Sequence, residues 1–365
     1  MISRRDMLKT GAAAAAALSA PRLAFAQEAP FAPKPGPWRD FAVTTRLDLT
    51  ASGKAQAWIP LPSVREEEWI KTGKNDWKTN ATLAEVVRDP KYGAELLHVA
   101  FKEGEVAPYV EVRSSFALRD RAEDLAAKGI VPALGDADRK LYLEATELMP
   151  TDGIVKETAE KAAAGKTSDI DKARAIYEWV VANTFRDAKT RGCGTGDVAS
   201  MLRTGNLGGK CADLNALYVA LVRSAGIPAR DIYGLRVAPS KFGYKSLGAG
   251  SEVVTKAQHC RAEVWLDGYG WVATDPADVR KVVLEEPPGN NTVDNPKVVA
   301  ARQVLFGAWE GNWLGYNVAH DVVLPGSKHK VGFLMYPQAE VAGALLDCLD
   351  PDTFKYSIKS AEITA

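Results

Sequence analysis

From Phe41 the chain alternates. Phe41, Val43, Thr45, Leu47 and Leu49 fall on one side of an extended segment, and Val110, Val112, Ser114, Phe116 and Leu118 repeat the pattern later. A period of two puts every second side chain on the same face, so both segments predict half-buried β-strands. Short strand-like pieces with turns between them, among them AWIPLP at 57–62, predict an antiparallel β-sandwich of roughly 90 residues within 27–130. The proline-rich stretch 27–40 predicts a linker ahead of it.

At Asp136 the period becomes helical. Ser168 and Asp171 form a capping-box-like pair before a helix carrying Ala173, Ile176, Trp179 and Val180. A second helix opens at Cys211, with Leu214, Leu217, Tyr218, Leu221 and Ala225 on one face at steps of three and four. Gly226 supplies its stop signal, and Pro228 blocks continuation. Strands are predicted near 231–238, 259–266 and 271–275, and strand-like pieces around 330–336 and 354–358. The fold class is therefore α+β, an N-terminal antiparallel sandwich at 27–130 followed by a core at 136–365. In that core a helix carries a cysteine, an antiparallel sheet carries a histidine and an aspartate, and a β extension closes the chain.

Composition narrows the setting. The opening MISRRDMLKTGAAAAAALSAPRLAFA has a charged start, an apolar run and an Ala-Phe-Ala cleavage site, which together make a secretory signal peptide at 1–26. Its Ser-Arg4-Arg5-Asp-Met-Leu-Lys order reads as a twin-arginine signal, so the partner of the precursor is the twin-arginine export machinery and the destination is the periplasm or the medium. The alanine run is too short and weakly apolar for a stable membrane span. Cleavage removes four basic residues and one acidic residue from the 46 of each sign, leaving a net charge of about −3 and no basic block of the kind nucleic-acid binding needs. Four cysteines are too few for a disulfide scaffold in a chain of this length.

Each thiol can then be asked what it does. Cys211 stands behind Gly-Gly-Lys on the first turn of its helix, where unpaired N–H groups and the helix dipole favour thiolate over thiol. Its base must come from four histidines, at 98, 259, 320 and 329. His259 opens a hairpin, HCRAEVWLDGYGWVATD, whose first strand puts Cys260, Ala262, Val264 and Leu266 on the buried side and His259, Arg261, Glu263 and Trp265 on the other. Asp275 ends the returning strand, so imidazole and carboxylate form a base and its orienter. An even hairpin loop would turn Asp275 away from His259. An odd loop or a bulge, with Gly268 or Gly270 at positive φ, puts Asp275 opposite Arg261 and diagonal to His259.

Three stretches carry a resemblance. They are Gly208-Gly-Lys-Cys211-Ala-Asp213 with Gly226-Ile-Pro-Ala-Arg230 after the helix, His259 with Ala262-Glu-Val-Trp265, and Gly270-Trp-Val-Ala-Thr-Asp275-Pro276. Over about 138–280 they resemble the transglutaminase-like core of the papain-like thiol enzymes. The resemblance implies Cys211 as nucleophile, His259 as base and Asp275 as orienter, with no cofactor and no metal. The sandwich and the tail motifs GNWLGYN and AHDVVLPGS resemble secreted bacterial members. The expected activity is thiol-dependent acyl transfer on a protein or peptide substrate, with hydrolysis favoured over protein cross-linking because water is always at hand. A binding module that has lost turnover is the competing class. Cys260 departs from the commoner neighbour of the histidine, and the side-chain oxyanion donor has no match here.

The remaining candidates have blander readings. Lys210 can favour the thiolate or simply point into water, and Asp213 serves the helix N-terminus. Cys260 reads as core, while Cys193 and Cys348 are open to either state. A metal set of Cys193, Cys211, His259 and Cys260 lacks the short ligand spacings of zinc sites, and neighbours on a strand face apart. His98 sits alone in an apolar strand and reads as buried and satisfied. His320-Asp321 is a rival pair whose members face opposite ways, although His320 could line a cleft.

Overall fold

The structure is a computed structural model that describes residues 30–50, 53–350 and 354–363, so the signal segment lies outside the described residues. It is the mixed α+β fold expected. Strand Arg39–Asp48 pairs antiparallel with Tyr109–Leu118, setting Leu47 opposite Val110, Thr45 opposite Val112 and Phe41 opposite Phe116. The two alternating runs are thus neighbours on one buried face. Across from them lies a second sheet containing Ala55–Pro60 and Glu95–Ala100, and Leu47, Val110 and Val112 pack in one cluster with Ala57, Ile59, Leu97 and Val99. Each fully buried aliphatic side chain of this kind contributes roughly 1.5–3 kcal/mol.

C-terminal strands complete both sheets. Lys355–Ile363 pairs with Arg39–Asp48 from Asp40 to Asp48, and Gln338–Val341 pairs with Ala55–Pro60. The proline-rich stretch is more than a linker: Phe31 is buried against Phe242 and Tyr244, with ring centroids 5.5 and 4.7 Å away. A phenylalanine is too apolar to leave in water when a pocket lies within reach of the chain.

The core sheet runs Gly270–Thr274, Gln258–Leu266, Ala229–Arg236, Trp313–Asn317, with every pair antiparallel. Against it lies helix Cys211–Ser224, buried at every position but the last. One face packs on Ala262 and Val264, and the others are covered by helices Ile154–Ala162 and Asp169–Asn183. The second of these is capped as expected, the Ser168 hydroxyl accepting from Asp171 N–H at 3.2 Å. Trp69, Trp309 and Trp313 join sandwich to core, with Trp69 5.3 Å from Trp309 and 5.8 Å from Trp313.

Both faces of strand Gln258–Leu266 are buried, where alternation alone suggests one. Its polar face survives burial because its charges are matched: Glu263 accepts from Arg121 and from Arg230, the latter at 2.6 Å. An unpaired carboxylate there would cost several kcal/mol.

Candidate active site

Gly208 and Gly209 bring the chain to the mouth of the cysteine helix by a route no side chain could follow. A Cβ on Gly209 would lie 2.5 Å from that of Asp213, and one on Gly208 would lie 2.3 Å from the Phe185 ring. The Asp213 carboxylate accepts from the N–H groups of Lys210 at 3.0 Å and of Thr195 and Gly196 at 2.9 Å each, so it serves the helix start, as expected, and also pins the preceding loop. Ala212 N–H then donates to the Cys193 carbonyl at 2.9 Å, which draws Cys193 alongside Cys211.

The hairpin closes with three residues, Asp267–Tyr269, and Gly268 and Gly270 have φ of +88° and +80°. Ala262 pairs with Thr274, and one step further sets Arg261 opposite Asp275. This is the odd loop that the carboxylate's position requires. Asp275 Oδ2 lies 2.8 Å from His259 Nε2, with the imidazole 2% exposed and the aspartate fully buried. The other oxygen of Asp275 caps helix Pro276–Glu285, accepting from Asp278 N–H at 3.0 Å. One side chain therefore anchors the helix and holds the ring.

Three further residues complete the cluster. Asp278 Oδ2 is 3.4 Å from His259 Nε2, while its Oδ1 accepts from Arg236 at 2.5 Å. Asn215 donates to the Cys260 carbonyl at 2.8 Å and to Asp275 Oδ1 at 3.3 Å, and accepts from Ala277 N–H at 3.3 Å. Sequence reading missed these. The spacing of Asn215 four residues after Cys211, and of Asp278 three after Asp275, puts each on the face of its partner and could have found both. Arg236 carries no such signal, because the sheet alone brings it near.

Charge follows from this packing. Burial and Arg236 depress the basicity of His259, but Asp278 and Asp275 outweigh them and carry its pKa up to about 10. Burial alone would push the Cys211 thiol up, yet hydrogen bonds from Cys193, Cys260 and His259 hold it well below the usual thiol range. The two flanking thiols shift the other way, Cys193 chiefly through its hydrogen bond to Cys211 and Cys260 chiefly through burial. Cys211 is thus favoured as the thiolate, with the Cys193 and Cys260 thiols beside it in one buried cluster and the Cys193 S–H donating to the Gln258 carbonyl at 3.3 Å. All four cysteines are unpaired.

Cys260 shares a buried cluster with Cys211 and Cys193, while His259, its neighbour on the strand, lines the cleft together with Cys211. Among the described residues the cluster with spacing for an ion is instead His259, Asp275 and Asp278, their ligand atoms within 4.8 Å of one another. Arg236 on Asp278, and Arg261 3.6 Å from Asp275, already supply the positive charge a cation would bring.

Cys211 and His259 open on a cleft of about 620 Å³. His320 is not on its wall and stands against Tyr233 instead, its Nδ1 3.2 Å from the phenol oxygen. Asp321 turns away to accept from Glu147 N–H at 3.1 Å. His98 is buried in the sandwich, with Nε2 3.0 Å from Gln56 Oε1.

Comparison with known proteins agrees with this geometry. Residues 156–276 match the family model of the transglutaminase-like superfamily, and residues 1–21 match that of the twin-arginine translocation signal, which directs export to the periplasm or beyond the cell. The chain is 38% identical over 328 residues to an uncharacterised protein of Haemophilus influenzae, spanning 86% of this chain and 88% of that one. The crystal structure of a candidate cysteine protease from Cytophaga hutchinsonii shares the fold, with a TM-score of 0.55 at 12% identity over 91% of this chain and 93% of that one. With a relative this similar along most of its length, and the family match falling on the helix of Cys211 and the strands of His259 and Asp275, the chain belongs to the transglutaminase-like superfamily.

Proposed function

We propose that the protein is a thiol-dependent acyl-transfer enzyme that hydrolyses peptide or amide bonds through Cys211, His259 and Asp275. The observation that carries this reading is the buried 2.8 Å contact between His259 and Asp275 beside a cysteine whose pKa is lowered. With Nε2 engaged by Asp275, Nδ1 is the ring nitrogen left for the sulfur. The Cys211 thiolate attacks the amide carbonyl, and the backbone N–H of Cys211 stands by position to receive the developing oxyanion. Imidazolium then protonates the leaving amine and a thioester remains. His259, now neutral, takes a proton from water, which attacks the thioester and releases acid and free thiolate.

Asp278 acts on the ring as a second positioning carboxylate, and Asn215 steadies Asp275. Cross-linking would need a lysine amine to enter in place of water. The cleft wall bears Lys210 and Lys256, which have no ion pair among the described residues, repel a cationic acceptor and support hydrolysis. The test is active-site labelling with iodoacetamide below pH 7, followed by a peptide-library screen that scores cleavage against incorporation of a labelled amine. A reactive Cys211 with cleavage products is expected. Amine incorporation without cleavage would make the protein a cross-linking enzyme, and an inert Cys211 would make it a binding module.

A further inference from the structure

The cleft is charged against the rest of the protein. The chain has equal numbers of basic and acidic residues, and loses net positive charge with its signal segment. Its cleft nevertheless has Arg186, Lys210, Arg236, Lys256 and Lys281 on the wall against a single carboxylate, Glu285. Arg186 and Lys281 share that carboxylate, and Arg236 is held by Asp278. Lys210 and Lys256 have no ion pair among the described residues, although Lys210 adjoins the nucleophile.

A second observation points the same way. Two polar groups on the wall, Gln258 Nε2 and Tyr336 Oη, are buried without a well-formed hydrogen bond, with the Tyr356 hydroxyl and the Cys193 sulfur as their polar neighbours, and Tyr336 is 6% exposed. An amide N–H without a partner is costly to bury unless something arrives to accept from it. Both groups can donate, and so can every cation on the wall. A cleft of unmatched donors and positive charge suits a ligand rich in acceptors and negatively charged. Leu349 and Tyr356 on the same wall add apolar surface, as a peptide with side chains would need.

We propose that the cleft selects acyl donors bearing a carboxylate beside the scissile amide, that is, acidic peptides. The proposal rests on the thiol-enzyme reading above, and Lys210 and Lys256 are its specificity-determining residues.

The experiment uses two reagents of nearly equal size that differ in charge. The mature protein is alkylated with iodoacetate and with iodoacetamide, the modified cysteine is mapped by mass spectrometry, and the ratio of the two rates at Cys211 is compared with that of free cysteine. The ratio should exceed the free-cysteine value about tenfold or more and fall with added salt. It should fall severalfold in the double variant Lys210→Gln, Lys256→Gln. Taking a ratio cancels any change in the thiolate itself. Peptides that differ only in Glu, Gln or Lys should protect Cys211 from iodoacetamide in that order. A ratio equal to that of free cysteine, a ratio indifferent to the double substitution, or equal protection by Glu and Lys peptides would overturn the proposal and leave the enzyme reading standing. Failure of both reagents to label Cys211 below pH 7 would overturn the enzyme reading, and the proposal with it.

Discussion

His259 lies in the core sheet and His320 in a separate pair of strands, His320–Val323 with Lys330–Phe333, yet they are almost equally buried at 2% and 5% exposure and each has an aspartate nearby. They titrate in opposite directions. His259 has Asp275 at 2.8 Å and Asp278 at 3.4 Å, and its pKa climbs to about 10. His320 has Asp231 no nearer than 3.9 Å, and burial, with Arg223 and Lys91 adding repulsion, drives its pKa well below the usual value. Asp231 itself makes no hydrogen bond, and burial lifts its carboxyl to about 7, so it is a poor counter-ion. Burial disfavours a charged ring, and a carboxylate restores it only in contact and only if something else keeps that carboxylate ionised. At Asp278 burial is outweighed by Arg236 and His259, which hold its carboxyl well below the usual range, whereas at Asp275 burial and Asp278 raise the carboxyl against the pull of His259 and Arg261.

Substitution should separate the two sites most sharply. His259→Asn and Cys211→Ala are expected to lower turnover by about 10⁴-fold or more, whereas His320→Gln should stay within about threefold. In Cys211→Ala the thermal midpoint should move by less than about 4 °C, because little volume is lost. Steady-state rates and calorimetry check both, and a His320→Gln loss as large as that of His259→Asn would erase the contrast.

Next in size is Asp275→Asn, expected to cost about 10³-fold in kcat at an intact fold. Asparagine still caps the helix but cannot stabilise imidazolium. Near-normal turnover would reduce the site to a cysteine–histidine dyad.

Asp278→Asn should matter less for the plateau rate and more for its pH range. Removing a negative charge beside the ring, with Arg236 left unpaired against it, makes the proton easier to lose. The alkaline limb of the kcat/KM profile should therefore move from near 10 towards neutrality, with activity near pH 9 falling further than activity near pH 6. An unchanged limb would mean that Asp275 alone governs the ring.

The smallest expected effect is on stability. A His259 pKa raised from 6.5 to about 10 stabilises the fold fully below about 6.5, and that contribution disappears as pH rises through about 10. The depressed pKa of His320 acts oppositely, its contribution present above about 6.5 and lost as pH falls. Asp231 works against His320, because a carboxyl raised to about 7 weakens folding as pH rises from about 4 through 7. The difference in thermal midpoint between wild type and each variant isolates the histidine. The alkaline decline should shrink in His259→Asn and the acid decline in His320→Gln, and pH-independent differences would sink the assignment of opposite charge states.

Much of the molecule is legible in local pattern. Alternation at Phe41–Leu49 and Val110–Leu118 suffices for the strands because a strand with one wet face must repeat every second residue. Three- and four-residue spacing after Cys211 suffices for its helix, and glycine at 268 and 270 lets the hairpin take its odd loop. With those elements in place, the approach of His259 to Asp275 is a matter of register, and register is counted along the chain.

Other features have no local signature. That Lys355–Ile363 pairs with Arg39–Asp48 depends on segments some three hundred residues apart, and nothing in either names the other. Arg236 on Asp278, Cys193 beside Cys211 and five cations around one cleft arise where separate elements converge. Periodicity can say that Glu263 and His259 share a face, but not that this face is covered and its charges matched. The sequence by itself determined which elements form and the order in which cysteine, histidine and aspartate occur, because those depend on spacing within a few turns or one hairpin. The charge state of the site and the character of its cleft were decided only by tertiary structure, because burial and Coulomb energy depend on distance in space, whatever the separation along the chain.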